Sequence, residues 1–388
     1  MIVVCEPICW ESEHVPFNTA MLEIIRIAFP SEKIIFYAEQ SHLKQVIKQI
    51  KFDIQSTIIW KEISIPPRHS KYSHRWKSDW KLANYLFKIL NQDTFGHLLL
   101  TSITPPLLTA IKFLLSFIYK NKSVQIIFHG NLSTLSGWRS RNPFIRIQDL
   151  KTALTLPSHK NIQYIVLEQP IRKELIYKLP SIAERVVVLN HPIPSSEGGE
   201  NTVDFCPPFR FGFLGLVTEG KGGGIFVKFA SEISNKFPGH VEFHVIGRLE
   251  NKNEVLEISA LTTKPGYQRL SREEYIRRLK ALHFVCFPYF SNHYKLSPSG
   301  TLLDAIAWEK PFIASKLPIF RNLIYRFGDI GYLCSNEAEF RDCLEKIVKE
   351  ADLNRYKKQV LSIRQVRYSR TPNSLATTYR DICKKLRI

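Results

Sequence analysis

Short runs of β-branched and aromatic residues recur along this chain, each separated from the next by about one helix length of amphipathic sequence. Ile2–Cys5, Lys33–Tyr37, Thr57–Trp60, His97–Thr101, Val124–Phe128, Ile162–Val166 and Arg185–Leu189 read as strands, with helical periodicity between them, as at Phe17–Ala28 and Leu107–Tyr119. A strand that must return parallel to its predecessor needs a crossover of a dozen or more residues, and a helix is the usual one. The strands lack polar alternation, so both faces of the sheet are expected to be covered. A second series follows at Phe209–Leu214, Val241–Ile246, His283–Phe287 and Pro311–Ala314. Between the series, residues 191–208 are rich in Pro, Ser, Glu and Gly, which reads as a linker. The expected architecture is α/β: two Rossmann-like, doubly wound parallel-sheet domains at 1–190 and 209–370, facing a central cleft. A C-terminal helix at 371–388 is expected to return to the first domain.

Composition bounds the partners. With 388 residues, 44% of them apolar, the chain can fill two cores. A formal net charge of +19 calls for an acidic partner: nucleic acid, an anionic membrane or a phosphorylated small molecule. Seven scattered cysteines, mostly within apolar runs, read as free thiols in a reducing compartment. Met1 leads directly into a strand, so no signal peptide is expected and the protein is read as cytoplasmic. The apolar stretch Leu98–Ile118 is broken by Pro105-Pro106 and Lys112, which fits a strand and helix better than a membrane span.

Leu296–Ala314 carries the clearest chemistry: Leu-Ser-Pro-Ser-Gly-Thr-Leu-Leu-Asp-Ala-Ile-Ala-Trp-Glu-Lys-Pro-Phe-Ile-Ala. With Ser297 as N-cap and Pro298 first in the helix, the amides of Ser299, Gly300 and Thr301 lack intrahelical partners and can bond a phosphate. Asp304 lies four residues beyond Gly300, about 6 Å along the axis, where ribose hydroxyls of a nucleoside diphosphate would fall. The same pattern also fits an ordinary capped helix with Leu302, Leu303 and Ile306 inward.

A second signal follows the strand at Phe209–Leu214. Gly215-Leu-Val-Thr-Glu-Gly-Lys-Gly-Gly-Gly224 sits at a strand's carboxyl end, where open α/β sheets bind ligands, with a helix expected from Ile225 to Phe237. Gly215, Thr218, Gly220 and Gly222 shape the loop, and Lys221 offers a compact cation for phosphate. Its spacing matches neither a dinucleotide fingerprint nor a Walker loop. Three successive glycines also suit a plain tight turn.

Together these segments resemble the donor side of GT-B glycosyltransferases, specifically the retaining family 4 enzymes of exopolysaccharide assembly. Gly215–Gly222 resembles their donor loop and Ser299–Asp304 with Lys310–Ala314 their nucleotide-sugar helix. Phe243–Arg248, Leu270–Tyr275 and Ser315–Phe320 are similar to further family segments, so that the likeness covers most of 209–340. Two positions depart from the pattern. Leu216 stands where the family has Arg, and Leu296 where it opens the helix motif with Glu, while the second acid is Asp304 instead of Glu. Arg248 or Lys295 is the expected replacement cation. In the first domain the resemblance implies a catalytic role for His129 near the anomeric carbon, and acceptor contacts from Glu13, His14 and Asn18; without it, His129 reads more readily as a satisfied structural histidine.

The implied activity is hexosyl transfer, with glucose as the family's sugar, from a UDP-sugar to a hydroxyl of a lipid-linked glycan, with retention. No Asp-x-Asp triplet occurs, so a metal-independent enzyme without cofactors is expected, its leaving diphosphate met by Lys221 and helix amides. A sugar-nucleotide 2-epimerase and a lapsed, binding-only homologue are the alternatives. Cations mixed with aromatics at Arg68–Lys81 and Trp138–Arg141 are read as a peripheral contact with anionic membrane on its inner face, and not as a nucleic-acid site.

Overall fold

The computed structural model describes residues 1–386 apart from 68–69, 95, 137–141, 143–145, 147–148, 251–257 and 291–294. It divides into two compact units: Met1–Glu197 with Leu296–Pro298 and Arg370–Ile388, and Gly198–Lys295 with Ser299–Ser369. The unit boundary at Glu197 falls inside the span read as a linker. That span is not loose, because residues 191–194 are buried and Ile193 donates its amide to the Arg370 carbonyl.

In the first unit, strands β1 (Ile2–Cys5), β2 (Ile34–Ala38), β3 (Ile58–Glu62), β4 (His97–Leu100), β5 (Ser123–Phe128), β6 (Ile162–Val166) and β7 (Val186–Val188) form one parallel sheet in the order β3-β2-β1-β4-β5-β6-β7. Side chains alternate across a strand. Val3 and Cys5 therefore enter one hydrophobic core and Ile2 and Val4 the other. The second core is completed by the terminal helix Pro372–Lys384 through Leu375, Tyr379 and Ile382. Its Tyr379 hydroxyl donates to Gln125 Oε1 in β5 (2.9 Å), and Gln125 Nε2 donates to Gln163 in β6 (2.8 Å), which satisfies polar groups inside a covered sheet. The segment leading into that helix is fixed by Arg370, whose guanidinium is 2.6 Å from Glu168 and also donates to the His191 carbonyl.

The second unit holds β8 (Phe209–Val217), β9 (Val241–Leu249), β10 (Phe284–Phe287), β11 (Phe312–Ser315) and β12 (Gly331–Cys334), parallel in the order β12-β11-β10-β8-β9. β12 has no counterpart in the sequence reading, since a four-residue strand opening on glycine gives little pattern. β8 also runs three residues further than expected. It pairs with β9 as far as Val217↔Leu249, but with β10 only at Phe211 and Gly212. At the top of this ribbon a Cβ on Gly247 would stand 1.7 Å from the Gly215 carbonyl oxygen, so only glycine lets the two strands approach there. Among the described residues no helix is long and apolar enough to cross a membrane.

Candidate functional site

In both sheets the chain reverses its winding beside the first strand of the unit, between β1 and β4 and between β8 and β10. Ligands of open α/β sheets bind at the carboxyl ends of strands at that point. In the second unit β8 ends there at Val217. Thr218 then caps a single 3-10 turn, Glu219–Lys221, accepting the Lys221 amide at 3.3 Å, and Gly222 takes a left-handed conformation (φ 69°). A Cβ on Gly222 would lie 2.1 Å from the Pro288 carbonyl oxygen just past β10, so this glycine is required twice over. The following helix spans Gly223–Lys236, two residues earlier than the sequence reading placed it, because Gly222 serves as its N-cap.

The helix beyond β10 spans Gly300–Ala307. Its N-cap is Ser299 and not Ser297: Ser299 Oγ accepts the Leu302 amide at 3.3 Å. The amides left without intrahelical partners are therefore those of Gly300 and Thr301. Behind them stands Tyr289, 1% exposed, whose hydroxyl is 3.4 Å from Thr301 Oγ1, itself 3.1 Å from Ser299 Oγ. Burial pushes the Tyr289 phenol up to about 12, so it stays protonated. The sequence reading missed Tyr289, which only its place at the end of β10 marks.

Lys221 and this helix meet over Gly215 (φ 86°). The Lys221 Nζ and the Thr301 methyl both lie within 4 Å of the point where a Cβ on Gly215 would stand, at 3.7 and 3.0 Å. Burial lowers the Lys221 ammonium below its ordinary value, opposed by the charge of Glu250. Among the described residues no carboxylate reaches it within ion-pair distance. A half-desolvated cation beside helix amides that lack intrahelical partners is an arrangement able to take up an anion. The structure thus brings together Gly215, Thr218, Lys221, Gly222, Ser299 and Thr301, with Gly220 inside the capped turn and Gly300 opening the helix.

Other expected positions stand apart. Asp304 is one turn along, its carboxylate 2.7 Å from Arg272 and accepting from the Tyr275 hydroxyl at 2.9 Å, so its charge is already matched within the protein. Arg248 is exposed on β9, opposite Leu216, and Lys295 is exposed ahead of the helix. Neither is joined to the cluster by a hydrogen bond among the described residues. Trp138–Arg141, Arg68 and His69 lie outside the described residues.

In the first unit the switch point is filled by a carboxylate that the sequence reading overlooked. Glu6 follows β1 directly and is fully buried. It accepts the amides of Ile8 (2.9 Å) and Cys9 (3.1 Å), the hydroxyls of Thr101 (2.9 Å) and Ser102, and the Asn18 amide (3.4 Å). Burial alone would raise its pKa; the Ser102 hydroxyl, then His14, His42 and the Ile8 amide, pull it below the ordinary carboxylate range. Glu6 therefore stays charged and pins the loop that carries Glu13 and His14. Asn18, expected to face a ligand, is instead fully buried. Its side chain donates to His42 Nε2 (2.8 Å) as well as Glu6, so it supports the loop from below.

His14 ends that loop in a left-handed conformation (φ 51°), where Glu13 also bonds the backbone of Trp10, and its ring stacks on His129 at 3.9 Å. His129 contacts Phe17 edge-on and sets its Nε2 3.3 Å from His191 Nε2. The protons of this pair can be assigned. The Pro192 carbonyl only accepts, so His191 Nδ1 (3.2 Å) carries hydrogen and its Nε2 is bare. His129 Nε2 must then donate to it, which leaves His129 Nδ1 as a lone pair, buried and without a partner among the described residues. Burial, then His14 and His191, hold the His129 pKa well below its ordinary value, and burial brings His191 to about 3. Both rings are neutral near pH 7. His191 went unnoticed because it lies in the span read as a linker.

Two parallel doubly wound sheets with this strand order define the GT-B fold. Among solved structures, HepE from Anabaena in complex with UDP aligns over 100% of this chain and 99% of its own, at TM-score 0.64 and 12% identity. A glycosyltransferase from Rickettsia africae aligns over 99% and 98%, at TM-score 0.67 and 14% identity. The E. coli trehalose-6-phosphate protein bound with UDP-2-fluoro glucose aligns over 100% and 99%, at TM-score 0.64 and 11% identity. No protein-family model and no curated protein matches the sequence.

The glycine contact at the top of β8 and β9 is open to test. Gly247→Ala is expected to displace the Gly215 carbonyl and cost roughly 1–3 kcal/mol by denaturant unfolding, the range for overpacking a close contact. Gly266→Ala, at a glycine without a positive φ and with no atom nearer than 4.0 Å to its Cβ position, is the control for a glycine without that contact.

Proposed function

We propose that the chain is a retaining glycosyltransferase that moves a hexose, glucose by the family resemblance, from a UDP-sugar to a hydroxyl of a lipid-linked glycan at the inner face of a membrane. The observation that carries this reading is the approach of Lys221 and the bare first turn of the Ser299-capped helix to one point over Gly215. It is supported by the fold shared with proteins whose structures hold UDP or a UDP-sugar analogue.

The diphosphate seats on the Gly300 and Thr301 amides with Lys221 against its oxygens, so the charge that grows on the leaving group meets preorganised donors without a metal ion. The acceptor oxygen forms its bond to the anomeric carbon on the face from which the diphosphate departs, as the carbon–oxygen bond to phosphate breaks. The hydroxyl proton passes to the departing phosphate oxygen, and UDP leaves. By the family resemblance, His129 orients the sugar or the acceptor, its tautomer held by His191. Arg272 and Tyr275 hold Asp304, which meets the ribose.

Thermal shift with UDP, GDP, ADP and dTDP and their sugars tests the reading. UDP and UDP-glucose are expected to raise Tm, by RT ln(1 + [L]/Kd) in free energy. If no nucleotide raises it, the reading fails. A binding-only protein is the second reading, favoured by Leu216 and by the ion pair that occupies Asp304. UDP binding with no sugar released or transferred from any UDP-sugar would select it.

A further inference from the structure

The helix Tyr72–Leu90 and the helix Pro105–Phe117 carry a line of touching aromatic rings along the outside of the first unit. Trp76 and Trp80 are 6.3 Å apart, Trp80 and Phe113 5.6 Å, and Phe113 and Phe117 4.8 Å. The line ends in the open: Phe113 is 46% exposed, Phe117 68% and Ile118, next in the chain, 59%. Scattered apolar exposure is ordinary, but a run of contacting rings that emerges into solvent is not.

The rim of this patch is cationic. Lys77, Lys81 and Lys88 are exposed and share one side of their helix by their spacing, beside the tryptophans, and Lys120 follows Ile118. The only acid on the two helices is Asp79, which is buried against Arg75 and Thr104. A basic face with Trp and Phe alongside has the composition of surfaces that lie in the headgroup region of a bilayer. A second copy of the chain is a poor occupant, since a two-fold pairing brings together two copies of the same lysine-rimmed face, whose helices offer no exposed acid to meet it.

We infer that this face seats the protein on an anionic membrane, with Phe113, Phe117 and Ile118 entering the acyl boundary and the lysine stripe on acidic headgroups. The inference rests on the lipid-linked acceptor of the proposed function only for its purpose, not for its evidence.

Flotation of the full chain tests it, with vesicles of phosphatidylglycerol and phosphatidylcholine in equal parts, against phosphatidylcholine alone. The wild type is expected to float with the acidic vesicles only, less so as salt rises. The triple variant Phe113→Ser, Phe117→Ser, Ile118→Ser should lose affinity by about tenfold or more. Lys77→Gln with Lys81→Gln should lose roughly fivefold per charge. UDP-induced thermal shifts, unchanged in all variants, separate this result from failure of the donor site and show that the variants fold. The inference is overturned if the wild type does not float with acidic vesicles, or if both variants float as the wild type does. It is equally overturned if the triple variant abolishes a wild-type dimer in sedimentation while leaving flotation intact.

Discussion

Lys221→Met is expected to lower sugar transfer by roughly 10²-fold or more, the usual loss when one preorganised donor to a developing oxyanion is removed. Methionine keeps the length and apolar stem of the side chain, so the packing over Gly215 persists and the loss reports charge. If Lys221 acts on the diphosphate of the transition state, turnover falls more than donor affinity does. The ammonium's lowered pKa adds a sign. Binding of UDP favours the protonated form, so affinity should weaken as pH rises through a point below that of an ordinary lysine, and the Met variant should lose this dependence. Isothermal titration across pH, with transfer assays at neutral pH, measures both. Equal turnover in the two proteins would remove Lys221 from the chemistry.

The second large effect is acid sensitivity. His97, His191 and His283 are buried and neutral, with pKa values brought by burial to about 4, 3 and 4 from 6.5. In the unfolded chain each takes up a proton below about 6.5, while the folded chain refuses it until near 4. Between these values the unfolded state binds more protons, so stability is full above 6.5 and is lost as pH falls. Each histidine contributes up to about 1.4 kcal/mol per pH unit in that window. Glu6, with its depressed pKa, adds to the loss once pH falls below the ordinary carboxylate value. Urea unfolding from pH 7 to pH 4.5 checks this. A midpoint that does not move over that range would mean the rings are hydrated and titrate normally.

The fold was legible because parallel strands covered on both faces leave an apolar signature that helices interrupt at regular intervals. β12 was not, because its four residues open on glycine and carry little pattern. In the site, Gly215, Lys221 and the Ser299–Thr301 turn could be read because each depends on local backbone chemistry. The cap moved from Ser297 to Ser299 because two serines two residues apart offer the same signal, and only three-dimensional reach decides which one meets the Leu302 amide. Glu6, His191 and Tyr289 escaped because each gains meaning from partners distant in sequence: Thr101 and Ser102 for Glu6, His129 for His191, Thr301 for Tyr289. Asn18 was misread for the same reason in reverse, since a polar residue in a helix's first turn looks available until His42 is seen to hold it.

The bond from Tyr379 to Gln125 spans 254 positions of the chain. During synthesis the N-terminal sheet leaves the ribosome long before the helix that covers one of its faces, while the whole of the second unit emerges in between. The later-made half can therefore finish first, and the earlier half waits with an open apolar face. A nascent chain stalled just short of Pro372 should be the form most readily captured by a chaperone, and release of the final segment should end that capture.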